Sequence, residues 1–467
     1  MKYLGITLDR RLNWNMHLQR QVERTSIALG QCCRAVGKTW GLTPKTAMWI
    51  YTAVIRPMIL YGTIVWWPAV RFTSKAAKLQ QLQRIACLMI TGAMSSSPTI
   101  ALENMLNLPP LDIYVEQVAM TALLRLQQAS SDQKKVAELR ACELWRRAAS
   151  EQPLLESHTD LIPPKFCYNR PYGLELQSPS SRANKTLSVY TDGSKTVGGS
   201  GAGIFSHDLQ LNLWIPLGMH ATVHQAELIA IANAAYAIAN SPKTGKEISI
   251  YTDSRQAILA LGRHRFVSGV VMDCHNALTE ASRRNHVKVC WIKGHSEVRG
   301  NNKADRLARR AARRTPSSPE PVVAPTIKTQ VELIKRITHQ RFCDRWDKTP
   351  ERLHAREMLR YPNEKTTIQL MELSKRDLRL LTHFWTGHCK LNKHKFVMKL
   401  CNSPICRACE HEEESVSHIM FECPVLANLR EFTLGEAWPT ASQLRNSPPG
   451  ALLTFVKNLG WFEAQEE

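Results

Sequence analysis

Two hydrophobic periodicities divide the chain. Between residues 185 and 315 apolar and polar positions alternate in short runs, while on either side the apolar positions recur every three or four residues. Leu187, Val189 and Thr191 alternate into Asp192. Residues 201–205 and 209–213 predict two further strands in hairpin order, and 248–251 and 287–292 predict a fourth and a fifth. Thr222 and Gln225 have capping-box spacing. The helix they start runs to about Asn240 and is nearly all Ala and Ile, so it is expected to be buried. Asn302 is expected to cap a last helix, rich in arginine (Arg306, Arg309, Arg310, Arg313 and Arg314).

Residues 1–145 read as mainly helical. Thr43-Pro44 joins a capping hydroxyl to a proline at the first helical position, and apolar-periodic stretches follow at 79–91 and 111–126. The nearly apolar run 47–70 could pass for a membrane span. Arg56-Pro57 in its middle would be costly in lipid and would break a helix, so two buried segments and no membrane are expected. Stretches rich in Pro and Ser predict linkers at 146–184 and 316–328, with a further mostly helical region at 329–467.

At 467 residues, two or three domains are expected. Apolar content of 44% argues against wholesale disorder. The 61 Lys and Arg against 40 Asp and Glu give a net charge of +21, which favours a polyanionic partner, nucleic acid first. Thirteen cysteines, an odd number without framework spacing and behind no signal peptide, predict reduced thiols in the nucleus or cytoplasm.

The chemistry lies in four acidic residues. Asp192 stands in Tyr190-Thr-Asp-Gly-Ser-Lys195, Glu227 in His224-Gln-Ala-Glu227, and Asp253 in Tyr251-Thr-Asp-Ser-Arg255. Asp305 ends Gly294-His-Ser-Glu-Val-Arg-Gly-Asn-Asn-Lys-Ala-Asp305. On the predicted elements Asp192 and Asp253 end strands, while Glu227 and Asp305 sit in first helical turns. All four would then meet at one edge of an α/β sheet. Carboxylates so gathered oppose one another's ionisation unless hard cations are held among them. Gly193 would let a substrate backbone approach closely.

These residues closely resemble ribonuclease H of the type 1 family over about 185–315. The resemblance implies an α/β fold with a five-stranded mixed sheet and surrounding helices. It also implies two Mg²⁺ (or Mn²⁺) ions, with Asp192 bridging and Glu227, Asp253 and Asp305 completing the site. RNA–DNA hybrid is the implied partner, and hydrolysis of its RNA strand the implied reaction. Glu227 is placed to accept from a ribose 2′-hydroxyl, and His295 takes the place of a histidine that assists proton transfer or product release. Between Ser254 and Val287 there is no room for the basic protrusion some members carry. The arginines at 306–314 or the flanking regions would replace it, unless they form a solvated helix face.

Near the C-terminus, Cys406-x2-Cys409-x8-His418-x4-Cys423 has the spacing of a structural zinc knuckle (406–423), with Cys389 and Cys401 near enough to substitute. Leu381-Thr-His-Phe-Trp-Thr-Gly-His-Cys389 and Phe421-Glu-Cys-Pro424 resemble the tail of non-LTR retrotransposon polyproteins. Lys2-Tyr-Leu-Gly-Ile-Thr-Leu-Asp9, Ile55-Arg-Pro-Met-Ile-Leu-Tyr-Gly62 and Leu106-Asn-Leu-Pro-Pro-Leu111 resemble the thumb and connection that follow a reverse-transcriptase region. Residues 1–145 are therefore expected to be a helical thumb/connection remnant. No Asp-Asp dipeptide occurs, so reverse transcription is not expected, and the chain reads as a 3′-proximal part of a mobile-element reading frame. A non-catalytic RNA- or hybrid-binding module of a decayed element is the alternative.

Overall fold

The structure is a computed structural model. It describes residues 1–37, 40–130, 132–177, 186–294, 298–350 and 354–462. The chain divides into two compact units, one of residues 126–334 and one joining 1–125 to 335–467.

In the first of these, strands β1 (Leu161–Phe166), β2 (Gly173–Glu175), β3 (Leu187–Thr196), β4 (Gly199–Ser206) and β5 (Leu211–Gly218) precede helix α1 (Val223–Ala239). Strand β6 (Glu247–Thr252), α2 (Arg255–Leu261), β7 (Arg265–Ser268), α3 (Gly269–Ala281), β8 (His286–Trp291) and α4 (Arg299–Ala312) follow. Six strands form a mixed sheet in the order β2-β8-β6-β3-β4-β5. The β3-β4-β5 meander is antiparallel, and β3, β6, β8 and β2 run parallel. All five expected strands are present. The sixth, β2, comes from within 146–184, which was expected to be a linker; that stretch also contributes β1, paired with β7 apart from the main sheet. Proline density misled there: Pro163 and Pro164 fall in β1 at the irregularity between Leu161 and Lys165, where a missing donor costs little, and β2 contains no proline.

Side-chain alternation sorts the core into two layers. Val189, Ile250 and Val289 face α1 and α3, while Tyr190, Tyr251 and Cys290 face α4. Helix α1 is capped as predicted: Thr222 accepts from the Gln225 N–H, and the Gln225 side chain returns the bond. Its Ala and Ile residues let it lie close between sheet and α3, with Ala230, Ile231, Ala234, Ala235 and Ile238 fully buried. Helix α4 begins at Arg299, earlier than expected. Its N-cap is Val298 without a side-chain bond, and Asn302 lies inside the helix.

Helix α4 reaches β4 by backbone contact. A Cβ on Gly203 would stand 2.2 Å from the Ala304 carbonyl oxygen, and one on Gly201 would stand 2.4 Å from the Ala312 nitrogen. Backbone cannot yield as a flexible side chain does. Gly203→Ala is therefore expected to cost about 2 kcal/mol or more through overpacking, read as a lower urea midpoint. A midpoint equal to the parent's would show that α4 can ride outward.

The second unit brings together the two helical regions that were expected to stand apart. Lys375 donates to the Met89 carbonyl at 3.0 Å, Thr367 to that of Met105 at 3.1 Å, and Arg345 grips Asp112 with two bonds of 2.7 Å. Glu103, fully buried beneath Gln83, has its carboxyl pushed up to about 8 by burial. Thr43 caps a helix at Pro44 as expected, but Pro57 does not break it. The helix runs on to Leu60 through a wide π-turn at Tyr51–Ile55, which absorbs the missing N–H. The chain bends instead by 56° at left-handed Gly62. Among the described residues no single helix is long and apolar enough to cross a membrane.

Candidate active site

Asp192 lies inside β3, paired across to Gly203, and does not end the strand as expected. Two residues beyond Tyr190, it shares the sheet face of α4. Asp253 follows the last residue of β6, as predicted. Glu227 is the fifth residue of α1 and Asp305 the seventh of α4, each beyond the first turn where it was expected. One carboxylate oxygen from each of Asp192, Glu227 and Asp253 lies within 4.8 Å of the others. Asp305 joins from α4 by a hydrogen bond with Asp192, while Arg309 holds its other side at 2.8 Å.

Burial is the first cost of this arrangement. Asp192 is 7% exposed and Glu227 5%. Burial, then the charges of Asp253 and Asp305, push the Asp192 carboxyl up to about 7. Burial, then Asp192 and Asp253, push that of Glu227 up to about 9. Three acidic oxygens in so small a space are the donor set of a hard divalent cation, which would return the carboxylates to their ionised form.

Gly193 apart, the residues that support the site carried no signal of their own in the sequence. The Gly193 N–H bonds the Glu227 carboxylate, and the Thr252 hydroxyl donates to it at 3.4 Å. A Cβ on Gly193 would lie 2.5 Å from the Glu227 nitrogen. The space that glycine leaves is thus taken by α1 and not, as expected, by a substrate. Trp291 Nε1 donates to the Asp253 carbonyl at 3.0 Å, and the Arg255 guanidinium covers the Trp291 ring at 3.9 Å. A Cβ on Gly294 would meet Asp253 Oδ2 at 2.7 Å. His295 lies outside the described residues. The α4 arginines are partly engaged: Arg309 pairs with Asp305, Arg306 donates to the Asn302 carbonyl, and Arg310 lies over Trp214.

The second predicted cluster also assembles. The ligand atoms of Cys406, Cys409, His418 and Cys423 lie within 4.8 Å of one another, and Cys409 Sγ is 3.3 Å from His418 Nε2. Backbone N–H groups of Glu412 and His411, then His418 and Cys406, draw the Cys409 thiol down to about 6, whereas burial pushes Cys423 up to about 11. Beneath them the buried Arg430 donates to the carbonyls of Ile419, Cys423 and Ala437. Cys389 and Cys401 do not join the cluster; the Cys401 thiol donates to the Ser403 carbonyl.

Residues 184–313 match the family model of RNase H. A 115 kDa protein of the type-1 retrotransposable element R1DM of Drosophila melanogaster is 26% identical over 159 residues, which is 33% of this chain and 16% of that protein. A retrovirus-related Pol polyprotein from the type-1 retrotransposable element R1 of Nasonia vitripennis is 24% identical over 24% of this chain and 33% of its own. The RNA-directed DNA polymerase from the mobile element jockey of Drosophila melanogaster is 29% identical over 27% of this chain and 13% of its own. The chain thus spans a third or less of each of these proteins. Residues 184–313 are a ribonuclease H domain, in a chain whose relatives include polyproteins of R1 non-LTR retrotransposons.

Proposed function

We propose that the chain hydrolyses the RNA strand of RNA–DNA hybrids at the Asp192–Glu227–Asp253–Asp305 site. The observation that carries this reading is the convergence of three carboxylates, those of Asp192 and Glu227 buried and that of Asp253 partly so, from β3, α1 and the end of β6 within a segment that matches RNase H. Asp192, Glu227, Asp253 and Asp305 are the residues that would hold two Mg²⁺ or Mn²⁺ ions. Bound there, such ions supply an activated water and neutralise the leaving oxygen of a phosphodiester. Gly193 and Thr252 orient Glu227, which can take a hydrogen bond from a ribose 2′-hydroxyl and so favour RNA over DNA. Arg309 steadies Asp305. On the family resemblance, His295 assists proton transfer or product release. Cys406, Cys409, His418 and Cys423 would hold a structural Zn²⁺, whose bonds of about 2.0–2.3 Å suit their spacing.

The test is cleavage of an end-labelled hybrid. Cleavage of the RNA strand is expected with magnesium or manganese and none with chelator. Salt-dependent binding without turnover under every metal condition would replace the enzyme by a binding module.

A further inference from the structure

The β1–β7 ribbon is a second feature of this unit, and the carboxylate site makes no use of it. Phe166 and Tyr168 are 60% and 75% exposed, which a solitary aromatic can be, but these are stacked in series. The Phe166 and Tyr168 rings lie 6.3 Å apart at 14°, and the Tyr168 and His264 rings 5.8 Å apart at 27°. The ladder stands on a fixed base. Phe166 pairs with Arg265, the Cys167 N–H donates to the His264 carbonyl, and Phe266 is buried behind it. The Arg170 guanidinium ties the far end by donating to the carbonyls of Gly262 and Arg263. Exposed rings held on a rigid ribbon present flat faces at little entropic cost.

Charge identifies the occupant. The segments 165–170 and 262–267 hold Lys165, Arg170, Arg263 and Arg265 and not one carboxylate. Among the described residues Lys165, Arg263 and Arg265 form no ion pair. Flat π faces interleaved with unspent cations suit unpaired bases on a phosphate backbone; an apolar peptide would leave the cations idle. The platform also borders α1, the helix that carries Glu227. Arg263, Arg265 and Phe266 line a cavity of about 360 Å³ with His224, Gln225 and Leu228 of α1 and with Asp160, whose carboxylate accepts from the Ser268 hydroxyl and the Val270 N–H. His224 precedes Glu227 by three residues, less than one helical turn.

We infer that the Phe166–Tyr168–His264 ladder, with Arg263 and Arg265, is a docking platform for single-stranded RNA that continues the RNA strand out of the hybrid. The choice of RNA over DNA rests on the proposed function, because the strand that touches Glu227 is the one that can run on across His224 to the ribbon. Bases stack on the rings while the arginines meet phosphates. The enzyme thereby favours hybrids with an unpaired RNA extension over blunt ones.

The test measures binding of the full chain in magnesium-free buffer, where nothing is cleaved. Three labelled hybrids are compared: blunt, with an RNA overhang of about eight nucleotides, and with an equal DNA overhang. The RNA-overhang hybrid is expected to bind at least about tenfold tighter than the blunt one. Phe166→Ala with Tyr168→Ala should erase that gain and leave blunt binding and Tm unchanged, while Tyr168→Phe should keep it. Arg265→Gln should lower the salt slope by about one. An overhang gain that survives the double substitution overturns the inference, as does equal loss on the blunt hybrid or a gain confined to the DNA overhang. Because no turnover is read, a chain that binds overhangs but cleaves nothing would refute the proposed function and leave the platform standing.

Discussion

Asp192→Asn is expected to lower hybrid cleavage by roughly a thousandfold or more, about 4 kcal/mol of transition-state stabilisation, and at the same time to make the metal-free protein more stable. Both effects come from one crowded group. With the Asp192 carboxyl up at about 7 and its ordinary value 3.8, the folded chain between those values keeps a proton that the unfolded chain has released. Stability therefore falls as pH rises from about 4 to 7, and Glu227 extends the fall to about 9 from its ordinary 4.5. Asn cannot ionise, so its share of the slope disappears. At pH 8 without metal, a gain on the order of 1–3 kcal/mol is expected, at about 2–4 °C per kcal/mol for a unit of this size. Magnesium should reverse the ranking, since it stabilises only the chain that binds it. A variant that melts below its parent at pH 8 without metal would show that the four carboxylates are not in conflict.

The other large effect concerns Cys423. Cys423→Ser is expected to abolish binding of the zinc ion proposed for Cys406, Cys409, His418 and Cys423, and to open residues 389–462 to protease. In small zinc-folded peptides the metal contributes about 10–16 kcal/mol, far above the stability of a short segment. The loss spreads through Arg430, whose guanidinium is held by the Cys423 and Ile419 carbonyls and would be left buried without them. Cys401→Ser, which alters a thiol outside the cluster, should leave zinc content and protection intact. Equal zinc content in both variants would remove the assignment.

What the sequence made legible was local. Thr222 with Gln225 and Thr43 with Pro44 are contacts within one turn, and both caps form as expected. The carboxylates could be picked out in order because each has its own flanking residues. Their depth within the elements could not. Asp192 sits mid-strand because β3 continues through Gly193-Ser-Lys against the glycine-rich β4, and that strand's glycines answer to α4, about a hundred residues away in sequence. Pro57 was read by its usual effect, whereas a π-turn accommodates it. The joining of residues 1–125 to 335–467 rests on contacts between positions more than two hundred residues apart, such as Lys375 with Met89, for which no short window holds a signal.

The sixth strand bears on where the ribonuclease H domain can be cut out for expression. A piece begun at residue 184 would lose β2, leaving Lys288–Cys290 of β8 as an open edge able to recruit strands from other copies. It would also lose Asp160, whose carboxylate and carbonyl receive the Ser268 hydroxyl and the N–H groups of Val270 and Gly269 at the start of α3, and whose own N–H bonds the Pro325 carbonyl. The self-sufficient piece is therefore longer at both ends than the segment that carries the family signature. A clone bounded at 184 and 313 would test the aggregation of an unpaired edge before it tested the proposed activity.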